Sequence, residues 1–138
     1  MKIMGIDYGD RRVGVALSDE LLMTAQPLKT IEVVNRKDLL NQLRIIKKEN
    51  DVEKVVIGIP RTMDGEVGVR GEKTLIFAKH LARSLKCEPV MWDERLTTVS
   101  AIDYLNEADV RGKERRNAVD TVSACLILQN YLEYIRKL

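Results

Sequence analysis

At 138 residues the chain is long enough to bury a core of its own, and a single domain over 1–138 is expected. Its 45% hydrophobic and 32% charged residues exclude a disordered chain, and a net charge of +2 excludes an overall polycation of the histone type. No apolar run is long enough to cross a bilayer and no signal-peptide pattern is present, so a cytoplasmic protein with no membrane partner is expected.

KIMGIDY and VGVALSD read as two strands joined through GDRR, whose residues suit a tight hairpin. AQPLKTIEVV predicts a third strand near a sheet edge, because Pro27 cannot donate to a ladder. NRKDLLNQLRIIKKEND predicts a helix with Asn35 as N-cap and with Leu39, Leu40, Leu43 and Ile46 on one apolar face. VEKVVIGIP is a continuous apolar run, as expected of a strand buried on both faces. RTMDGEVGVRGE, with its three glycines, predicts a loop, and a helix follows with Leu75, Ala78, Ala82 and Leu85 spaced by three or four.

CEPVMWDERL predicts the last strand, ending at Glu94, and TTVSAIDYLNEA a helix capped by Thr97 or Thr98. The basic stretch 109–116 is too charged for a core. NAVDTVSACLILQNYLEYIRKL predicts a long final helix with Val119, Val122, Leu126 and Ile127 inward. A meander followed by alternating helices and strands means an α/β fold with a mixed five-stranded sheet, three antiparallel strands plus parallel ones.

Cys87 and Cys125 have no neighbouring ligand at metal spacing, so neither a zinc site nor a disulfide framework is expected. His80 reads as a helix surface residue, and Trp92, just before a strand end, as core in preference to a base-stacking platform. Three acids fall where structure alone would not place them. Asp7 ends the first strand, Glu94 the last, and Asp120 opens the final helix between apolar neighbours. Ligands of open α/β sheets gather at the carboxyl ends of strands. Converging carboxylates repel one another unless a cation sits among them, and Mg²⁺ or Mn²⁺ is the natural guest for oxygen donors.

Each acid also has an ordinary reading: Asp7 as an Asx-turn residue, Glu94 as the partner of Arg95 or Arg12, Asp120 as an acid at the favourable end of its helix. Asp93 is the alternative to Glu94, since neighbouring strand residues face opposite ways. RGKERR at 111–116, with Arg11, Arg12, Arg61, Arg70 and Lys73 at loop positions, gives a basic rim suited to a polyanion.

GIDYGDRRVGVALSD, GIPRTMDG, WDERLTT and AVDTVSACLIL together resemble the YqgF/RuvX family, in order and across essentially the whole chain. Members are called Holliday junction resolvases and are implicated in processing the 5′ end of pre-16S ribosomal RNA. The resemblance implies a ribonuclease H-like fold and a two-metal-ion nuclease dependent on Mg²⁺ or Mn²⁺. It also implies metal-binding catalytic carboxylates at Asp7, Glu94 and Asp120. Contacts to an rRNA precursor or branched DNA are then expected from Arg11, Arg12, Arg61, Arg95, Arg111, Lys113, Arg115 and Arg116. Symmetric cutting of a junction would call for a homodimer.

Two rivals stand beside this reading. GIDYGDRRVGVALSD is also similar to the phosphate-binding hairpin of the actin and sugar-kinase superfamily, whose members need two domains and a cleft. A nucleic-acid-binding assembly factor without turnover would equally use the basic rim, though it gains nothing from gathered carboxylates.

Overall fold

The computed structural model describes residues 1–62, 64–96 and 112–138, with side chains of the last stretch described from Asp120 onward. Strands β1 (Lys2–Asp7), β2 (Arg12–Ser18) and β3 (Ala25–Glu32) form the expected meander, followed by helix α1 (Arg36–Glu49), strand β4 (Val52–Ile59), helix α2 (Val69–Leu85) and strand β5 (Val90–Asp93). A 3₁₀ turn spans Glu94–Leu96, and helix α3 runs over Gly112–Arg136. The helix expected over TTVSAIDYLNEA lies outside the described residues.

The five strands lie in the order β3-β2-β1-β4-β5, with β1–β2 and β2–β3 antiparallel and β1–β4 and β4–β5 parallel. β3 is an edge strand, and the ladder shifts register where Pro27 faces Ala16, because proline has no amide hydrogen to give. α1 begins as its sequence dictates: the Asn35 side chain accepts from the Asp38 amide at 2.8 Å. Leu39, Leu40, Leu43 and Ile46 are all buried.

Two helical expectations need correction. α2 starts at Val69, so VRGE belongs to the helix rather than to the loop, and Arg70 and Lys73 lie in its first turns. Its buried face is Gly71, Thr74, Phe77, Ala78, Leu81 and Leu85, while Leu75 is exposed. The stripe turns on Phe77, which stacks on Tyr8 at 4.3 Å between ring centroids. α3 likewise starts earlier than expected, at Gly112, and its buried face centres on Ala124, Ile127, Leu128, Tyr131 and Leu132, with Val122 and Leu126 only half-buried. The stretch 112–116 is therefore helical, not a separate basic segment.

The helices cover opposite faces of the sheet. α1 and α2 pack on Met4, Ile6, Val13, Val15, Val55 and Ile57. α3 packs on Ile3, Ala16, Val56 and Trp92. Trp92 meets Tyr131 and Tyr134 at centroid distances of 5.7 and 5.5 Å, which makes it core, as read from sequence. No described helix is long and apolar enough to cross a membrane.

Candidate active site

The parallel strands β1 and β5 end at Asp7 and Asp93, and β4 ends beside them at Ile59. Alternation along β1 puts Asp7 on the same face as Ile3 and Gly5, beneath α3. Across the hairpin Asp7 pairs with Gly14. A Cβ at Gly14 would stand 1.9 Å from the Asp120 carbonyl oxygen, so only glycine lets the α3 backbone lie on β2 at this point. That contact brings Asp120 over the end of β1.

Glu94 reaches the same place by another route. Gly58, opposite Trp92 in the ladder, leaves a gap in which a Cβ would lie 2.9 Å from Glu94 Oε1 and 2.4 Å from Ile127 Cδ1. Glu94 opens the 3₁₀ turn instead of ending β5, a correction whose cause is Asp93. The Asp93 carboxylate accepts from the Arg95 amide at 3.0 Å and from Arg95 Nη2 at 2.7 Å, folding the chain back on itself. The two acids are held differently. Asp93 is held by Arg95 and, at 3.8 Å, by Arg61, and the Arg95 hydrogen bond keeps its carboxyl below the ordinary range. Glu94 is hydrogen-bonded to Asp7.

Asp7 and Glu94 act on each other directly. Burial pushes Asp7 from 3.8 up to about 7, with the charges of Glu94 and Asp120 adding to the effect and Arg70 opposing it. Burial also raises Glu94, against Arg70 and the Asp7 hydrogen bond. Two carboxyl groups in contact and partly withdrawn from water disfavour ionising together, which favours a proton held between them. Asp120 is tied differently: Arg12 Nε donates to its Oδ2 at 2.8 Å.

The expected carboxylates thus converge, with Asp120 held by an arginine. Among the described residues no three acids, histidines or cysteines stand at metal-ligand spacing. The donor chemistry nonetheless fits a hard divalent ion at Asp7 and Glu94, where the shared proton marks the place for positive charge. Asp120, in its ion pair with Arg12, stands near this pair and adds its charge to the site.

The basic rim is divided. Arg12 holds Asp120, Arg61 and Arg95 flank Asp93, and Arg61 Nη1 also donates to the Gly65 carbonyl at 3.1 Å. Arg11 is exposed at the hairpin tip. Arg111 lies outside the described residues, as do the side chains of Lys113, Arg115 and Arg116. Arg70, absent from the expected site set, lies in the first turn of α2 near enough for its charge to favour ionisation of both acids. Its signal was the spacing Gly71, Thr74, Phe77, Ala78 and Leu81, which continues the helical stripe back past the last glycine.

A mixed five-stranded sheet with carboxylates at its strand ends under a C-terminal helix is the ribonuclease H-like class. The chain is similar to Thermus thermophilus RuvC in complex with a Holliday junction substrate, with 12% identity, coverage of 97% of this chain and 96% of that one, and a TM-score of 0.63. It is also similar to the fowlpox virus Holliday junction resolvase in complex with its junction, with 13% identity, 98% and 99% coverage, and a TM-score of 0.54. The chain belongs to the RuvX family, described as Holliday junction resolvase, whose model matches residues 1–134.

Its relatives include a Halothermothrix orenii protein, 49% identical over 141 residues, covering 100% of this chain and 99% of that one. A Clostridioides difficile protein is 42% identical over 133 residues, covering 96% and 94%. Both are provisionally named pre-16S rRNA nuclease.

Proposed function

We propose that the chain is a divalent-metal-dependent endonuclease that hydrolyses phosphodiester bonds of structured nucleic acid, with the 5′ side of pre-16S rRNA as substrate. The carrying observation is the half-buried Asp7–Glu94 pair at the strand ends, two carboxyls in contact that each ionise less readily for being partly withdrawn from water. Asp7 and Glu94 would hold Mg²⁺ or Mn²⁺, with Asp120 joining them. Bound there, the metal supplies water activation and stabilises charge on the departing oxygen, by one ion or by two.

The chain's own residues do the rest. With a divalent ion bound, Asp7 and Glu94 would hold it as carboxylates, and a proton held between them in its absence would pass to solvent. Arg70, beside them, supplies a fixed positive charge facing the phosphate. Arg12 exchanges the Asp120 carboxylate for a substrate phosphate, so ligand release and substrate capture are one movement. Arg11 and the cations of 111–116 contact neighbouring phosphates.

The names of the relatives favour RNA, whereas the family description names a DNA junction. A cleavage assay with Mg²⁺ or Mn²⁺ decides it, offering wild type and Asp7→Asn both a pre-16S rRNA fragment and a four-way DNA junction. We expect RNA cutting by wild type and a loss of at least about 1000-fold in the variant, equivalent to about 4 kcal/mol of transition-state stabilisation. Junction cutting alone would reassign the substrate. Full activity in Asp7→Asn would remove the metal-ligand assignment.

A further inference from the structure

At the end of the sheet opposite the carboxylates, the C-terminal ends of α1 and α2 lie together. Asn50 leads almost directly into β4, and the Cys87 thiol just past α2 lies 3.8 Å from the Glu53 carbonyl near the start of that strand. Between the helix ends runs a groove of about 700 Å³ lined by Arg44, Lys47, Lys48, Arg83 and Lys86, with Ser84 and Leu85. Among the described residues it has no acid: Glu49, Asp51 and Glu88 flank it in sequence but do not line it.

Arg44 is fixed at the groove wall. Its guanidinium donates to Ser84 Oγ at 2.6 Å, to the Ser84 carbonyl at 3.4 Å and to Asn41 Oδ1 at 3.1 Å. None of the five cations makes an ion pair among the described residues.

Lysines and arginines in the last turn of a helix commonly offset its carbonyl dipole. Each helix end carries only about half a negative charge, so two ends answer about one of these five cations. Some four positive charges are left over. The strip also continues: an adjoining groove of about 480 Å³ shares Arg44 and Ser84 and adds Arg36 and Lys37. From Arg36 to Lys48 the helix rises about 18 Å, a length over which one strand of a duplex presents about five phosphates.

We infer that the α1–α2 groove is a second nucleic-acid contact, one that binds the sugar–phosphate backbone of a duplex segment away from the carboxylate edge. The inference rests on the nucleic-acid reading above and extends it to a surface on the other face of the sheet. Repeated charge over this length suits a phosphate ladder. The lining holds no aromatic ring on which unpaired bases could stack and only Leu40 and Leu85 as apolar anchors for a peptide. A structured substrate long enough to reach both surfaces would gain affinity from the second contact without any change at the carboxylates. Short oligonucleotides would not.

The test uses a 30-base-pair RNA duplex, wild type, and the reversal variant Lys47→Glu/Lys48→Glu/Arg83→Glu, whose folding is checked by circular dichroism. Lys48 and Arg83 are exposed and Lys47 is half-buried, and none of the three belongs to the buried core, so the fold should survive. Binding is followed across a salt series, and lysine acetylation is mapped with and without RNA. We expect the variant to bind the duplex at least about tenfold more weakly, with a shallower salt dependence. RNA should protect Lys47, Lys48 and Lys86 in wild type, leaving the exposed Lys29 on β3 reactive.

Equal binding by the variant, or RNA binding without protection of those lysines, overturns the groove assignment while leaving the carboxylate site intact. Protection by poly-glutamate but not by RNA overturns it in favour of an acidic protein partner. Failure of wild type to bind any duplex at low salt would sink this inference together with the nucleic-acid reading. Should the variant misfold, the acetylation map of wild type decides alone.

Discussion

On the α1–α2 side, the central strands present Met4, Ile6, Val13, Val15, Val55 and Ile57, a continuous aliphatic layer. On the α3 side, the alternating positions of the same strands include Gly5, Asp7, Gly14 and Gly58. One face uses side-chain volume to build the core. The other gives volume up, so that α3 backbone and the Glu94 carboxyl can come close to the strands and hold acids out of water. The two faces share every strand, yet substitutions on them should fail in different ways.

Leu43→Ala, in the fully buried middle of α1, tests the packed face. It should destabilise the protein by about 2–5 kcal/mol in a denaturant titration while leaving cleavage per folded molecule unchanged. A matching loss of activity per folded molecule would mean that the faces are not separable.

Asp7→Asn tests the open face, and here the sign is opposite. Asp7 keeps its proton in the folded protein up to about pH 7 but loses it near 3.8 when unfolded. Between those values the native state binds the extra proton, so metal-free stability falls as pH rises and stays low above about 7. At about 1.4 kcal/mol per pH unit the ceiling is about 4 kcal/mol, reduced by sharing the proton with Glu94. The asparagine variant should therefore be the more stable protein at pH 8, with a flatter pH profile, when thermal melts are compared in chelator. A variant less stable at pH 8 than at pH 4, relative to wild type, would contradict the burial of that charge.

Gly58→Ala should show both kinds of failure. Its methyl group would press on Ile127 and Glu94, costing about 1–3 kcal/mol. Misplacing Glu94 should also lower cleavage by roughly 10- to 100-fold. Asn35→Ala, a cap far from the acids, is the smallest effect, about 1 kcal/mol in stability with activity intact.

Local chemistry explains which features could be read from the chain. Asn35 announces a helix start, Pro27 an edge strand, and VEKVVIGIP a buried one, because each depends on residues beside it. Asp7 was legible for the same reason: an acid closing an apolar strand stands out against its neighbours. The start of α2 was hidden because its glycines look like loop residues, though Gly71 is buried where a Cβ would lie 2.9 Å from the Pro60 carbonyl. A loop over VRGE makes Arg70 only one rim cation among several.

The division of labour between Asp93 and Glu94 depends on arginines arriving from two directions and on the gap over Gly58, which no local spacing reveals. The pairing of Arg12 with Asp120 spans 108 positions and is likewise a product of the fold.

The measurement that tests the site most directly is calorimetric titration of Mn²⁺ at pH 7 in two buffers of different ionisation enthalpy, which counts protons released on binding. Wild type and Asp93→Asn should bind and release protons alike, because the displaced proton belongs to the Asp7–Glu94 pair. Asp7→Asn and Glu94→Gln should lose both the binding and the release. Retained Mn²⁺ binding in Asp7→Asn and Glu94→Gln, with its loss in Asp93→Asn, would place the metal at the arginine-held acid and contradict the site described above.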